Sequence, residues 1–169
     1  MMKLFSSKNN SNRGIRGQAI VEFAIALPIL LVLLVGILEV GRMILIYSAV
    51  TNASRNAVRY GSVVGFEDSG QYHKYLYCDG IKEMAINSAF LMNSSDLTIS
   101  ISYDSGPGTA SLGDCDVEGG EAAVPVSTED RVVVEVIAQY RPMVNLVPLT
   151  ARPFTSKSYR TILGIVDLD

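Results

Sequence analysis

From Ala19 to Leu38 the chain runs for about 20 residues with a single charge, Glu22. A helix of that length is about 30 Å long, the thickness of a bilayer's hydrocarbon core. A secretory peptide carries a shorter apolar stretch, about 7–15 residues, followed by a small-x-small cut site. This run is longer, and no such site follows it cleanly, so it reads as a membrane-spanning helix. Pro28 lies inside it and removes one backbone hydrogen bond. A bend is expected there, which membrane helices tolerate. Glu22 is harder to place, because a carboxylate at the bilayer centre costs about 2.5–3.5 kcal/mol on insertion scales.

The flanks set the topology. Residues 1–17 contain Lys3, Lys8, Arg13 and Arg16 and no acid, in a Ser- and Asn-rich stretch that reads as an unstructured basic leader. Positive charge before a span predicts a cytoplasmic N-terminus and an extracytoplasmic remainder. Of the 14 Lys and Arg in the chain, 10 lie beyond the leader, against 17 Asp and Glu. A nucleic-acid binder shows a basic domain; this one is acidic, so nucleic acid is set aside as a partner.

The helix is expected to outlast the membrane. No proline interrupts EVGRMILIYSAVTNASRNAVRYG, residues 39–61. Val40, Met43, Ile44, Tyr47, Val50, Ser54 and Val58 follow a 3.6-residue spacing, and Asn52, Arg55, Asn56 and Arg59 form a polar face. Gly61 and Gly65 offer the stop. Glu39 and Arg42 read as a solvated interfacial pair. A second helix is expected over residues 80–92, with Ile81, Met84, Ala85 and Ala89 on one stripe. DLTISISYD, residues 96–104, alternates apolar and polar as a half-buried strand does. RVVVEVIAQYRP, residues 131–142, does the same with Val132, Val134, Val136, Ala138 and Tyr140 on one face. FTSKSYRTIL, residues 154–163, is a weaker third strand, and residues 105–129 read as a Gly- and acid-rich loop. The order predicts an α+β fold. It has a long N-terminal helix, partly transmembrane and partly amphipathic, then a small C-terminal domain with a short helix and a three-stranded antiparallel sheet. The divisions are leader 1–17, transmembrane and assembly helix 18–61, and extracytoplasmic domain 62–169.

Cys78 and Cys115 both follow the span. In an exported domain a disulfide is expected, closing a loop of about 38 residues and contributing about 4 kcal/mol on the chain-entropy model. The alternative is two buried thiols in a reducing compartment. Asp114, Asp116 and Glu118 alternate before Gly119, as at the start of a calcium loop, but the twelfth position is Pro125 where a bidentate Glu is required. An irregular calcium site including Glu121 is the residual possibility; a solvated acidic loop is the default, and no cofactor is implied. Tyr72, Tyr75 and Tyr77 near Cys78 read as a core edge. His73 has no evident Cys or Ser partner, and no phosphate loop appears, so no enzymatic activity is expected.

The basic leader is closed by Gly17, and Gly17-Gln18-Ala19-Ile20-Val21-Glu22-Phe23 then leads into the span. Cutting after Gly17 would free the amine of Gln18 one helical turn from the Glu22 carboxylate. In a low dielectric an unpaired charge is costly and a paired one is held strongly. The segment resembles the processing motif of type IV prepilins in its tight-adherence form, with Phe23 as the aromatic after the glutamate. RGQAIVEFAIALPILLVLLVGILEVGRMILIYSAVTNASRNAVRYG as a whole is similar to the N-terminal signature of the TadE-like family. Those proteins are minor pseudopilins of tight-adherence pili. VVVEVIAQYRPMVNLVPL resembles the family's late strand and Pro-containing turn more weakly.

The resemblance implies cleavage between Gly17 and Gln18 by a membrane-bound prepilin peptidase, with Glu22 and Phe23 as the assembly positions. It implies other pilins or pseudopilins, the assembly platform and membrane lipid as partners. It also allows a final location in the extracellular pilus. The alternative is a membrane-tethered binding or adhesion module, in which the helix is only an anchor. Glu22 separates the two, since a tether has no need of it.

Overall fold

The computed structural model describes residues 12–115, 121–143 and 151–163. Helix α1 runs unbroken from Asn12 to Gly61, followed by α2 (Cys78–Ser88) and a 3-10 turn at Ser94–Asp96. Strands β1 (Leu97–Asp104), β2 (Ser111–Asp114), β3 (Arg131–Tyr140) and β4 (Arg152–Thr161) come next. They form one antiparallel sheet in the order β2-β1-β3-β4. The α+β class is the one expected, with four strands in place of three.

The added strand, β2, lies inside the stretch read as a loop. Ser111-Leu112-Gly113-Asp114 holds one apolar residue in four positions, too little alternation to signal a strand. Its pairing with β1 shifts register between Tyr103 and Asp104. Gly113 has φ 153°, and a Cβ there would come within 3.1 Å of Val124. A second correction concerns the leader, whose residues 12–17 are helical and not irregular. They are contiguous with a strongly helical run, and extending a helix costs far less than nucleating one.

Helix α1 lives in two environments. From Ile20 to Leu38 its large apolar residues are exposed, apart from the half-buried Val35, with Ile20 at 69% and Ile37 at 73%. From Ile46 onward one stripe is buried: Ile46, Ala49, Val50, Ala53, Ala57 and Val58. Of the expected stripe, Val50, Ser54 and Val58 are buried and Met43 is half-buried, whereas Val40, Ile44 and Tyr47 are exposed. Alanines at 49, 53 and 57 let the helix axis come close to the sheet, so the smallest residues set the contact line. Asn52, Arg55, Asn56 and Arg59 do face solvent.

This half of α1 packs across β3 and β4 on one flank and against α2 on the other. Beneath it β3 turns Val132, Val134, Val136, Ala138 and Tyr140 into the core, all at most 1% exposed. Ser54 stitches α1 to β4. Its hydroxyl donates to the Thr51 carbonyl at 3.1 Å and accepts from Ser156 and Ser158, each at 2.9 Å. One donor and two lone pairs are thereby all engaged.

The other sheet face is polar. Arg131 and Asp104 stand opposite each other in register, and the guanidinium grips the carboxylate at 2.6 and 2.8 Å. Glu135 and Lys157, also opposite, sit 3.9 Å apart.

Helix α2 buries Ile81 and Ala85, with Met84 half-buried, and Ala89 just past its end is buried as well. It ends at Ser88, short of the expected residue 92. Its first residue, Cys78, is disulfide-bonded to Cys115, with the two Cα atoms 5.5 Å apart. Gly61 is the point where α1, α2 and β3 converge: a Cβ there would lie 2.8 Å from Ile81 Cδ1 and 3.3 Å from Val132. Ile81 is fully buried at this junction. Ile81→Ala is expected to lower the unfolding free energy by about 2–5 kcal/mol, through lost transfer energy and a residual cavity. Guanidinium titration of the detergent-solubilised full chain, followed by tyrosine fluorescence, reads this directly.

Candidate functional site

Two carboxylates bracket the apolar run of α1. Glu22 stands at its start and Glu39 follows its end. The helix brings Gly17, Gln18, Val21, Glu22 and Ile25 along one open surface of its N-terminal part. Gly17, Gln18, Glu22 and Phe23 are all exposed. A Cβ on Gly17 would meet nothing within 4 Å. Among the described residues, no hydrogen bond or ion pair reaches the Glu22 carboxylate. The helix continues through Pro28 without interruption.

Glu39 is the opposite case. It is 5% exposed, and three donors converge on its Oε1. The Tyr140 hydroxyl donates at 2.5 Å, the Met143 backbone N–H at 3.1 Å and Arg42 Nη1 at 3.2 Å. Arg42 also donates to the Arg141 carbonyl at 3.0 Å and lies over the Tyr140 ring, 5.6 Å from its centre. Phe154 of β4 packs edge-on to both Tyr47 and Tyr140, with centroids 6.1 and 5.9 Å apart. The Glu39–Arg42 pair is therefore not the solvated surface pair expected from sequence. It is a clamp that ties α1 to the end of β3 where the helix emerges from its apolar half. The signal was present but thin: a Glu immediately after the apolar run, an Arg one turn on, and an isolated Tyr before Pro142.

The remaining expected residues group elsewhere. His73 faces Glu121, whose Oε1 takes both the His73 backbone N–H and its Nδ1, the latter at 2.8 Å. Phe66 stacks on His73 at 4.5 Å. Of the candidate calcium loop, Asp116 and Glu118 lie outside the described residues. Tyr103, fully buried, donates its hydroxyl to the Tyr75 carbonyl at 2.7 Å, which links β1 to the tyrosine-rich segment before α2. Tyr72 and Tyr77 stack at 5.5 Å.

Among the described residues one helix, Gly17–Gly61, is long and apolar enough to cross a membrane, and none of its most apolar window is buried. An apolar surface on every side of a helix has to be covered by lipid or by other helices. A family match falls on that same helix. Residues 17–59 match the family model of TadE-like protein. The match spans the exposed apolar half, Glu22, the Glu39 clamp and most of the packed half, and stops before α2 and the sheet. No curated protein and no solved structure matches the chain. TadE-like proteins are tight-adherence pilus components, and an N-terminal apolar helix fits a membrane anchor in such a system.

Two measurable consequences follow from the contacts. Tyr140→Phe removes the Glu39 clamp's shortest hydrogen bond without changing the packed volume, and should lower the thermal midpoint by about 3 °C. Differential scanning calorimetry of the two proteins in the same detergent measures it.

The second consequence is acid lability. The Arg131 guanidinium holds Asp104 below its ordinary value of 3.8. The Ser127 backbone N–H does the same for Asp130, and that of His73 holds Glu121 below its ordinary 4.5. A carboxylate whose folded value is depressed stabilises the fold above its ordinary value, and that contribution is lost as pH falls towards the folded value. The thermal midpoint is therefore expected to be flat near neutrality and to drop below about pH 4. Asp104→Asn should show a shallower drop, and an unchanged slope in that variant would contradict the assignment.

Proposed function

We propose that the chain is a minor pseudopilin of a tight-adherence pilus. In this reading it inserts with its N-terminus in the cytoplasm and is cut between Gly17 and Gln18 by a prepilin peptidase. The helix beginning at Gln18 then packs among the helices of other pilins or pseudopilins, in or under the filament. Residues 62–169 form the extracytoplasmic domain.

The observation that carries the reading is the contrast between the two carboxylates of α1. Glu39 is satisfied three times over within the chain, whereas Glu22 has no partner among the described residues. A carboxylate at the edge of an apolar span needs a cation. The amine released at Gln18, its own or a neighbouring subunit's, supplies one within a helical turn. Gly17 supports the same conclusion. The space around it is open, so nothing within the chain requires the smallest residue there. Its size suits a protease that must hold extended backbone closely. Pro28 offers a weak point in the helix for extraction from the bilayer into a filament.

The test compares three variants in cells that carry the assembly machinery. Glu22→Ala should insert and be cleaved yet yield few pili. Glu22→Gln should be intermediate, keeping an acceptor without the charge. Gly17→Trp should stay uncut, leaving a chain that begins at Met1 where the wild type begins at Gln18. N-terminal sequencing and pilus counts by electron microscopy read all three. Normal pilus numbers in Glu22→Ala would remove the assembly role and leave a membrane-tethered binding module.

A further inference from the structure

The packed half of α1 is flanked by two grooves of opposite charge. One, about 480 Å³, lies between α1 and β4 and is lined by Arg55, Arg59, Lys157 and Arg160, with no carboxylate in its wall among the described residues. All four are exposed. Lys157 is shared with Glu135 on the sheet's outer face. Among the described residues, no ion pair reaches Arg55, Arg59 or Arg160.

The other groove, about 300 Å³, lies between α1 and α2 and is lined by Glu67, Asp68 and Glu83 around Tyr60 and Tyr77, with no cation in its wall among the described residues. Lys74, over the Tyr60 ring at 5.7 Å, stands at its rim. After burial, the largest influence raising the Tyr77 hydroxyl above its ordinary range is the field of Asp79, Glu67 and Glu83.

The grooves are on opposite flanks at one height. Ser54 touches β4, whereas Asn56 donates to Ser88 of α2 at 3.1 Å. Two residues along a helix are about 200° apart around it. Both grooves border α1 between residues 55 and 60.

We propose that the basic groove of one copy receives the acidic groove of the next, so that copies of this chain associate side by side, head to tail. The proposal rests on the pilus reading above, which gives α1 parallel helical neighbours, and adds that some of those neighbours are copies of this chain. Anchored copies share one orientation in the membrane, and charge favours a sideways contact in which parallel α1 helices meet by unlike flanks. Such a contact is heterologous and propagates into a ring or a helical array. A two-fold axis along the membrane normal would instead press four cations against four cations.

Lipid headgroups are not the occupant. Arg55 is 17 residues beyond Leu38, about 26 Å along the helix, and surface charge is screened within about 8–10 Å at physiological salt. An anionic polysaccharide would use the basic groove and leave the acidic one unexplained.

The experiment uses the full-length chain, expressed in assembling cells with a photo-activatable cross-linker at Asn87 on the acidic groove's wall. Dimer yield is measured for wild type, for Arg55→Glu with Arg59→Glu, and for Glu67→Arg with Glu83→Arg. Each double variant alone should lose about tenfold in cross-linked dimer. Co-expressing the two should restore it, because each then presents a flank complementary to the other. Restoration also shows that both variants fold.

Wild-type yield in either double variant alone, or no rescue on co-expression, overturns the proposal. So does retention of the wild type, but not the arginine variant, on an anionic polysaccharide column with cross-linking unaffected. Failure here with pili still lost in Glu22→Ala removes this surface and leaves the pilus reading. Normal pili in Glu22→Ala with intact cross-linking does the reverse.

Discussion

The sheet depends for its cover on a helix whose other half is an exposed apolar segment. It has one apolar face, and that face is closed by the second half of α1 with α2 alongside. An antiparallel sheet with one solvated face needs such a cover, because its inner face cannot remain in water. Here the cover is continuous with an apolar segment that needs a bilayer or other helices. Folding of the domain and positioning of the span are therefore one event. A domain cut away from α1 would lose Ile46, Val50, Ala53, Ala57 and Val58 from its core.

Glu39 fixes the joint. A buried carboxylate with one partner removed is strongly destabilising, whereas a fully hydrogen-bonded one holds a specific geometry. Tyr140 comes from the end of β3 and Met143 from just beyond it, while Arg42 comes from α1 itself. The contact therefore ties the end of β3 to the helix at the level where its exposed apolar run ends. Higher up, Ser54 with Ser156 and Ser158 repeats the constraint with neutral groups. The two polar fixings lie about four turns of helix apart, so the sheet is joined to α1 at two separate levels.

Much of this was legible in the sequence. Alternation in 96–104 and 131–142 located β1 and β3 and the correct inward face of β3, because period 2 leaves no ambiguity about which residues share a side. The helix and its polar face were equally plain. What failed has a common cause. The buried stripe of α1 was read from the largest apolar residues, but docking of a helix on a sheet favours the small ones, and Ala49, Ala53 and Ala57 carry no strong hydrophobic signal. Strand β2 owes its place to pairing with β1 and to Gly113, neither of which periodicity reports. Glu39 looked like a surface ion because its decisive partner, Tyr140, is 101 residues away. Local sequence records charge, and only the fold records burial.

The same reasoning separates the two carboxylates of the helix. Evolution of a buried acid inside one chain requires partners in that chain, and Glu39 has them on three sides. An acid that projects from an exposed apolar helix with no described partner is unfinished as a monomer. On the proposed pilus reading, a positive charge brought to the same depth by the assembly offsets its cost. The opposite charges on the two flanks of α1 pose the same problem in the aqueous part, where screening makes the imbalance cheaper and more easily tuned by salt. The exposed apolar residues between Ile20 and Leu38, the Glu22 edge and the two grooves thus all lie on surfaces of one helix that the described residues leave open. On the proposed pilus reading these are the surfaces that parallel neighbouring helices would meet.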